Sequence, residues 1–221
     1  MTSDSALVQQ AYDLWSRNYD TEDNSTRDLD LAVTKSLVNQ FSGLDVLEIG
    51  CGTGKNTEVI SGVAKSVQAL DLSKGMLAQA RERVSLPSVH FTQANLLERW
   101  PVADSSIDFV LGNLVLEHVQ DLHFIFTEAH RALRPGGRML VCELHPTKQI
   151  LGAKAHFIEF DTGEGIQPPV YYHGVSEYVN SAIASGLAVE RIDEWYDEPA
   201  ESGVVPSKAP RLLSLQYHRI P

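Results

Sequence analysis

Cysteine is nearly absent from this chain of 221 residues, with Cys51 and Cys142 the only two. One lies in a glycine turn and the other in an apolar run, which is no disulfide framework; a packed core must hold the fold, and a reducing compartment suits it best. Basic residues are scarce as well, 18 against 29 acidic ones, for a formal net charge of −11. No basic run interrupts that balance, so a polyanion is repelled overall and nucleic acid is not an expected partner. No apolar stretch reaches the roughly 18 residues of a membrane span, and no charged, apolar, small-residue leader opens the chain. The expected setting is therefore the cytoplasm, away from any membrane. Neither His-x-x-x-His spacing nor a cysteine cluster calls for a metal.

What is present is ordinary globular usage, 43% hydrophobic and 21% charged, which excludes a disordered chain and fits one domain. Apolar runs alternate with helical patterns. Strands are predicted near 45–49, 66–71, 89–93, 107–112 and 138–144, with helices near 54–63, 73–84 and 121–134, an alternation that means a parallel sheet with helical crossovers. Further on, Val175, Tyr178, Val179, Ala182 and Ile183 repeat at helical intervals. Leu187 to Tyr196 and Leu212 to His218 then read as two more strands, joined by a loop from Pro199 to Pro210.

The most informative segment is Val46-Leu47-Glu48-Ile49-Gly50-Cys51-Gly52-Thr53-Gly54, a buried-strand pattern breaking into alternate glycines behind an acid. Glycine accepts left-handed backbone angles and lets the main chain lie against a ligand. A dinucleotide fingerprint wants its third glycine at position 55, where Lys55 stands. With Glu48 at the strand end to accept from a cationic group, the turn favours an amino-acid-bearing nucleoside over a pyrophosphate. A second strand ends in Asp71, whose carboxylate suits two ribose hydroxyls. A third runs into Asn95-Leu96, a fourth into Asn113 and Leu116-Glu117-His118, and Leu133-Arg134-Pro135-Gly136-Gly137 leads into a fifth ending at Glu143-Leu144-His145.

In this order and spacing, residues 10 to 145 resemble the class I S-adenosylmethionine-dependent methyltransferases of small molecules, the type with a methyltransferase domain 11. The resemblance implies an α/β fold: a Rossmann-like, seven-stranded, mostly parallel sheet with helices on both faces and the last strand antiparallel. It implies S-adenosyl-L-methionine as cofactor, with Gly50, Cys51, Gly52 and Gly54 along its amino-acid part. Asp71 is assigned to the ribose and Asn95 with Leu96 to adenine. Asn95 departs from the acid usual there, yet its side-chain oxygen can still accept from the adenine amine. Leu72 and Met76 either flank the adenine ring or simply pack. Glu48 and Asn113 belong to the same crevice. Tyr19, in Tyr12-Asp13-Leu14-Trp15-Ser16-Arg17-Asn18-Tyr19, is a candidate contact to the amino-acid end; alternatively Tyr12, Trp15 and Tyr19 only pack a helix.

Methyl transfer needs alignment, exclusion of water and sometimes a base, for which histidine is best matched to neutral pH. His145 and His173 are the first candidates and His118 the third; a hydrogen-bonded structural role is open for each. The single domain divides into an N-terminal helical cap (1–42), a cofactor-binding core (43–145), a substrate lid (146–173) and a C-terminal helix with a strand pair (174–221). Within the lid, Phe157, Phe160, Tyr171 and Tyr172 on a hairpin offer an aromatic roof for a planar or apolar acceptor, or a dimer contact, so both monomer and homodimer stay open. The partner expected is a small-molecule methyl acceptor. Two other functions are compatible with such a crevice: cofactor binding without catalysis, and nicotinamide-dependent oxidoreduction, which the glycine spacing and the lack of a Tyr-x-x-x-Lys pair disfavour.

Overall fold

A computed structural model describes residues 3–198, 206 and 208–220. Seven strands form one sheet in the order β3-β2-β1-β4-β5-β9-β8. They are β1 (Asp45–Ile49), β2 (Ser66–Asp71), β3 (Val89–Gln93), β4 (Ile107–Asn113), β5 (Leu133–Leu144), β8 (Leu187–Trp195) and β9 (Leu212–Arg219). The first five pair in parallel, and β9 runs antiparallel to both β5 and β8. The chain is thus α/β, with the last strand reversed as expected.

Helices cover both faces because the central strands alternate between two apolar clusters. Leu47 and Ile49 of β1 join the cluster under α5 (Leu122–Ala132) and α7 (Val175–Ala184), where the Phe126 ring meets Tyr217 edge-on at 5.2 Å. Val46 joins Phe41, Ile60 of α3 (Lys55–Ser61) and Leu77 of α4 (Lys74–Arg83) on the opposite face. Two of the crossover helices, α4 and α5, start where a side chain takes up free N–H groups. Asp121 accepts from the amides of His123 and Phe124, and Ser73 accepts from that of Met76.

Two helices precede the sheet, α1 (Ser3–Trp15) and α2 (Ser25–Ser36). Asp13 of α1 accepts from the Ser73 hydroxyl at 2.6 Å and the Gly75 amide at 2.9 Å, which fixes α1 across the start of α4. Gly75 leaves room for that approach, since a Cβ there would sit 2.4 Å from the Ser16 hydroxyl oxygen.

Three segments differ from the sequence reading. The helix at 121–134 ends at Ala132, and Pro135-Gly136-Gly137 forms an irregularity inside β5 rather than a helix stop, because Leu133 already pairs with Ile107. After β5 a five-residue helix, α6 (Pro146–Ile150), replaces loop, with the His145 ring as its N-cap. The lid hairpin shrinks to β6 (Phe157–Ile158) against β7 (Gly165–Ile166); Pro168-Pro169, with no amides to donate, keep it from extending. The loop read from Pro199 to Pro210 falls mostly outside the described residues. Among the described residues, no helix is long and apolar enough to cross a membrane.

Candidate functional site

A cleft opens beyond the C-terminal ends of β1, β2 and β4, where the crossovers leave in opposite directions. Its floor is the glycine turn. The amides of Gly50 and Cys51 donate to the Leu70 carbonyl at 2.8 and 3.0 Å, which presses the turn against β2. Gly50 has φ +69°, and a Cβ on it would lie 2.3 Å from a Val115 methyl. Gly52, at φ +53°, is different: a Cβ there would meet nothing within 4 Å. Bare backbone at Gly52 therefore faces open space. Asp71 ties the turn to the end of β2 by accepting from the amides of Gly52 and Ser73, both at 2.8 Å.

Ten of the twelve expected cofactor residues line this cleft: Tyr19, Glu48, Gly50, Cys51 and Gly52 from the first part of the chain, then Asp71, Leu72, Asn95, Leu96 and Asn113. Gly54 and Met76 do not. Gly54 caps α3 with φ +81° and packs on Ala80, whose Cα would stand 3.2 Å from an added Cβ; its glycine serves helix packing. Met76 is fully buried with Ala11, Trp15 and Phe157, so the packing alternative describes it.

The three histidines separate. His118 lines the cleft. His145 points to α6, its Nδ1 accepting from the Thr147 amide at 3.1 Å while Nε2 lies 3.3 Å from Glu194. His173 is buried between the Val119 carbonyl, 2.7 Å from its Nε2, and Glu177, 2.9 Å from its Nδ1. A strand end fixes where such a residue starts, not where its ring points, and both rings are used in holding neighbouring segments. At His118, Nδ1 lies 2.8 Å from the Pro169 carbonyl and Nε2 lies 2.7 Å from the Tyr12 hydroxyl. Burial holds its pKa down at about 4.

Sequence reasoning missed a polar group contributed by α2. Asp30 accepts from Asn113 at 2.6 Å and from Asn56 at 2.9 Å, and Arg27 lies over the Tyr19 ring, 4.1 Å from its centroid. Arg27 donates to the Tyr19 and Glu22 carbonyls, and its Nε–H is buried without a partner. The side-chain oxygens of Asn56 and Asn113 are likewise buried and unpartnered. The available signal was the spacing of Arg27, Asp30 and Thr34, which puts three buried polar residues on one helix face.

Burial dominates the electrostatics of the cleft. It pushes Glu48 up to about 8, opposed by the Thr57 hydroxyl donating at 2.5 Å. Asp30 and Asp71 are pushed up to about 6 by the same cause, against the hydrogen bonds they accept. Three carboxyl groups in one cleft, each destabilised in its charged form, make a site that gains from a cation. One donor and two acceptors left over beside the glycine turn match the carboxylate and ammonium of an amino acid.

Residues 47–141 match the family model of a methyltransferase domain. A probable S-adenosylmethionine-dependent methyltransferase of Mycolicibacterium smegmatis is 39% identical over 109 residues, covering 49% of this chain and 41% of the relative. The aligned part is thus about two fifths of that relative's length. An uncharacterized methyltransferase of Emericella nidulans is 28% identical across 81% of this chain and 75% of its own. Among solved structures, the DhpI–SAH complex shares the fold with a TM-score of 0.74 at 23% identity, over 100% of this chain and 99% of that one. Glycine turn, strand-end acids and sheet order meet in one place: residues 47–141 are a methyltransferase domain, and the chain has the class I S-adenosylmethionine-dependent methyltransferase fold.

Proposed function

We propose that this chain moves the methyl group of S-adenosylmethionine to an oxygen, nitrogen or carbon atom of a small molecule. The observation that carries the reading is the set of orphaned polar atoms beside the glycine turn: the Arg27 Nε–H with the Asn56 and Asn113 oxygens, next to open space at Gly52. Arg27 would hold the carboxylate end of the cofactor in the open space beside Gly52, with Tyr19 against it. Glu48 and the two asparagine oxygens would face its ammonium group, Asp71 its ribose hydroxyls, and Asn95 with Leu96 its adenine.

When bound, the cofactor supplies an activated methyl group on a sulfonium, so the protein's task is alignment and dryness. Tyr12 and Val8 of α1 cover the cleft and exclude water. Asp71 holds the floor in place through the Gly52 and Ser73 amides, and His118, neutral at physiological pH, keeps a nitrogen able to take a proton. A relative named for a small-molecule substrate supports such an acceptor, the demethylmenaquinone methyltransferase of Tropheryma whipplei, 33% identical over 45% of its length. The two cysteines, buried and unpaired, suit a cytoplasmic enzyme.

Parallel calorimetric titrations with S-adenosylmethionine, S-adenosylhomocysteine and NADH test the reading. Binding of both adenosyl ligands without NADH is the expected result, and labelled methyl transfer into a small-molecule pool separates an enzyme from a mere binder. Binding of NADH alone, or of none of the three by folded protein, overturns it.

A further inference from the structure

We propose that Tyr12 and His118 are the acceptor end of the cleft, built to receive the hydroxyl of an uncharged, largely apolar acceptor and to pass its proton through Tyr12 Oη to Nε2 of His118. The proposal rests on the methyltransferase reading and specifies its acceptor.

The tautomer comes first. A carbonyl oxygen can only accept, so the 2.8 Å contact between Pro169 O and His118 Nδ1 places the ring proton on Nδ1. Nε2 of the neutral ring is then an acceptor, and at 2.7 Å the Tyr12 hydroxyl is its donor. Because its hydrogen is committed to Nε2, the Tyr12 oxygen has lone pairs but no proton to offer the cleft. It therefore selects a partner that brings its own hydrogen. The remaining neighbour of Nε2 is Glu117, with a carboxylate oxygen 3.9 Å away. Glu117 is pushed up to about 7 by burial, opposed by the nearby Gln149 side chain and Ala155 backbone.

Charge narrows the acceptor further. Val8, Leu31, Val115 and Val119 provide apolar wall in the same cleft. Of its two cationic side chains, Lys55 is paired with Asp20 at 3.2 Å, and Arg27, held by two backbone carbonyls, has its one free N–H assigned to the carboxylate of the cofactor. An anionic acceptor would meet the carboxyls of Asp30, Glu48 and Asp71 with no unpaired ammonium group among the described residues that line the cleft. A neutral hydroxyl compound meets no such opposition. In the proton step the acceptor O–H bond breaks and a new O–H bond forms at Tyr12, while Tyr12 gives its own hydrogen to Nε2. The product is an imidazolium that returns the proton to water, and no electrons change hands.

The test uses the full chain saturated with S-adenosylhomocysteine and three probes of one shape but different charge: p-cresol, p-toluate and p-methylbenzylamine. Nitrogen NMR of labelled histidine reads the His118 tautomer directly. The expected results are a protonated Nδ1 in the free protein, an Nε2 resonance that moves with p-cresol, and p-cresol binding roughly tenfold tighter than either charged probe. Tyr12→Phe should abolish that preference while S-adenosylhomocysteine affinity stays within about twofold, a split that general loss of structure would not produce. Equal or tighter binding of a charged probe overturns the proposal. So do a protonated Nε2, an unchanged preference in Tyr12→Phe, or no p-cresol binding at millimolar concentration. If S-adenosylhomocysteine itself fails to bind, the methyltransferase reading falls with it; if it binds and p-cresol shows no preference, the acceptor proposal alone falls.

Discussion

Replacing Glu48 by glutamine should stabilise the cofactor-free protein in a way that depends on pH. The carboxyl is 3% exposed, burial raises it from an ordinary 4.5 to about 8, and the Thr57 hydroxyl donates to it at 2.5 Å. Glutamine keeps an oxygen to accept that bond and has no proton to lose. An acid with a raised pKa in the native state binds protons more tightly folded than unfolded, so its contribution to stability declines as pH rises from 4.5 and levels off above 8. At pH 7 the unfolded chain has gained the ionisation that the folded chain has not, over about 2.5 pH units at about 1.36 kcal/mol each, or about 3 kcal/mol. Asp30, Asp71, Glu117 and Glu143 are pushed up as well, but they are present in both proteins and cancel from the difference. Thermal unfolding by circular dichroism between pH 4 and pH 8.5 should therefore show two curves that meet at the acid end. By pH 7 they should stand roughly 6 to 12 °C apart, with Glu48→Gln the more stable. The same variant should bind S-adenosylmethionine more weakly, since it cannot become an anion beside a cation. A gap that stays constant across the range would refute the burial argument for Glu48.

Arg27→Met should weaken S-adenosylhomocysteine binding by roughly 10- to 100-fold in calorimetry, the range for a hydrogen bond to a charged group, and Arg27→Lys should not restore it because lysine lacks the fork. Gly50→Ala should cost about 2 to 4 kcal/mol in urea unfolding, combining a left-handed backbone with the clash against Val115; adding Val115→Ala should recover only part of the clash, since the Cβ at 115 itself lies 2.6 Å from the added one. His145→Ala and His173→Ala should leave turnover unchanged. His173→Ala should still lower stability by about 1 to 3 kcal/mol, since its ring is buried against the Val119 carbonyl.

The strands around the cleft were legible because their side chains are buried on both faces, so β1 and β2 stand out as apolar runs at their observed limits. The glycine turn was legible because three positive φ angles leave few residues to choose from. Arg27, Asp30 and Asn56 were not, since a polar residue on a short helix reads as solvated until the strand-end partner, Asn113, is known. The five residues of α6 are too few for a helical period, and its cap is a histidine, an uncommon choice that reads as chemistry. Pro135-Gly136-Gly137 punctuates a sequence whether it ends a helix or bends a strand, and only the pairing of Leu133 with Ile107 decides between them.

The Trp15 ring at the end of α1 stacks on Phe157 of the lid hairpin at 4.8 Å, with the planes 9° apart. Arg17–Asp161 joins the same two segments, and Tyr171–Asp4 ties the chain that follows the hairpin to the start of α1. The N-terminal helix that lines the cleft and the hairpin are thus one piece of structure divided between distant parts of the chain. A ligand that draws α1 into the cleft must also shift the hairpin, and whatever seats the hairpin also seats α1. Equilibrium linkage then sets a quantitative constraint: whatever factor the first ligand contributes to the affinity of the second, the second returns to the first.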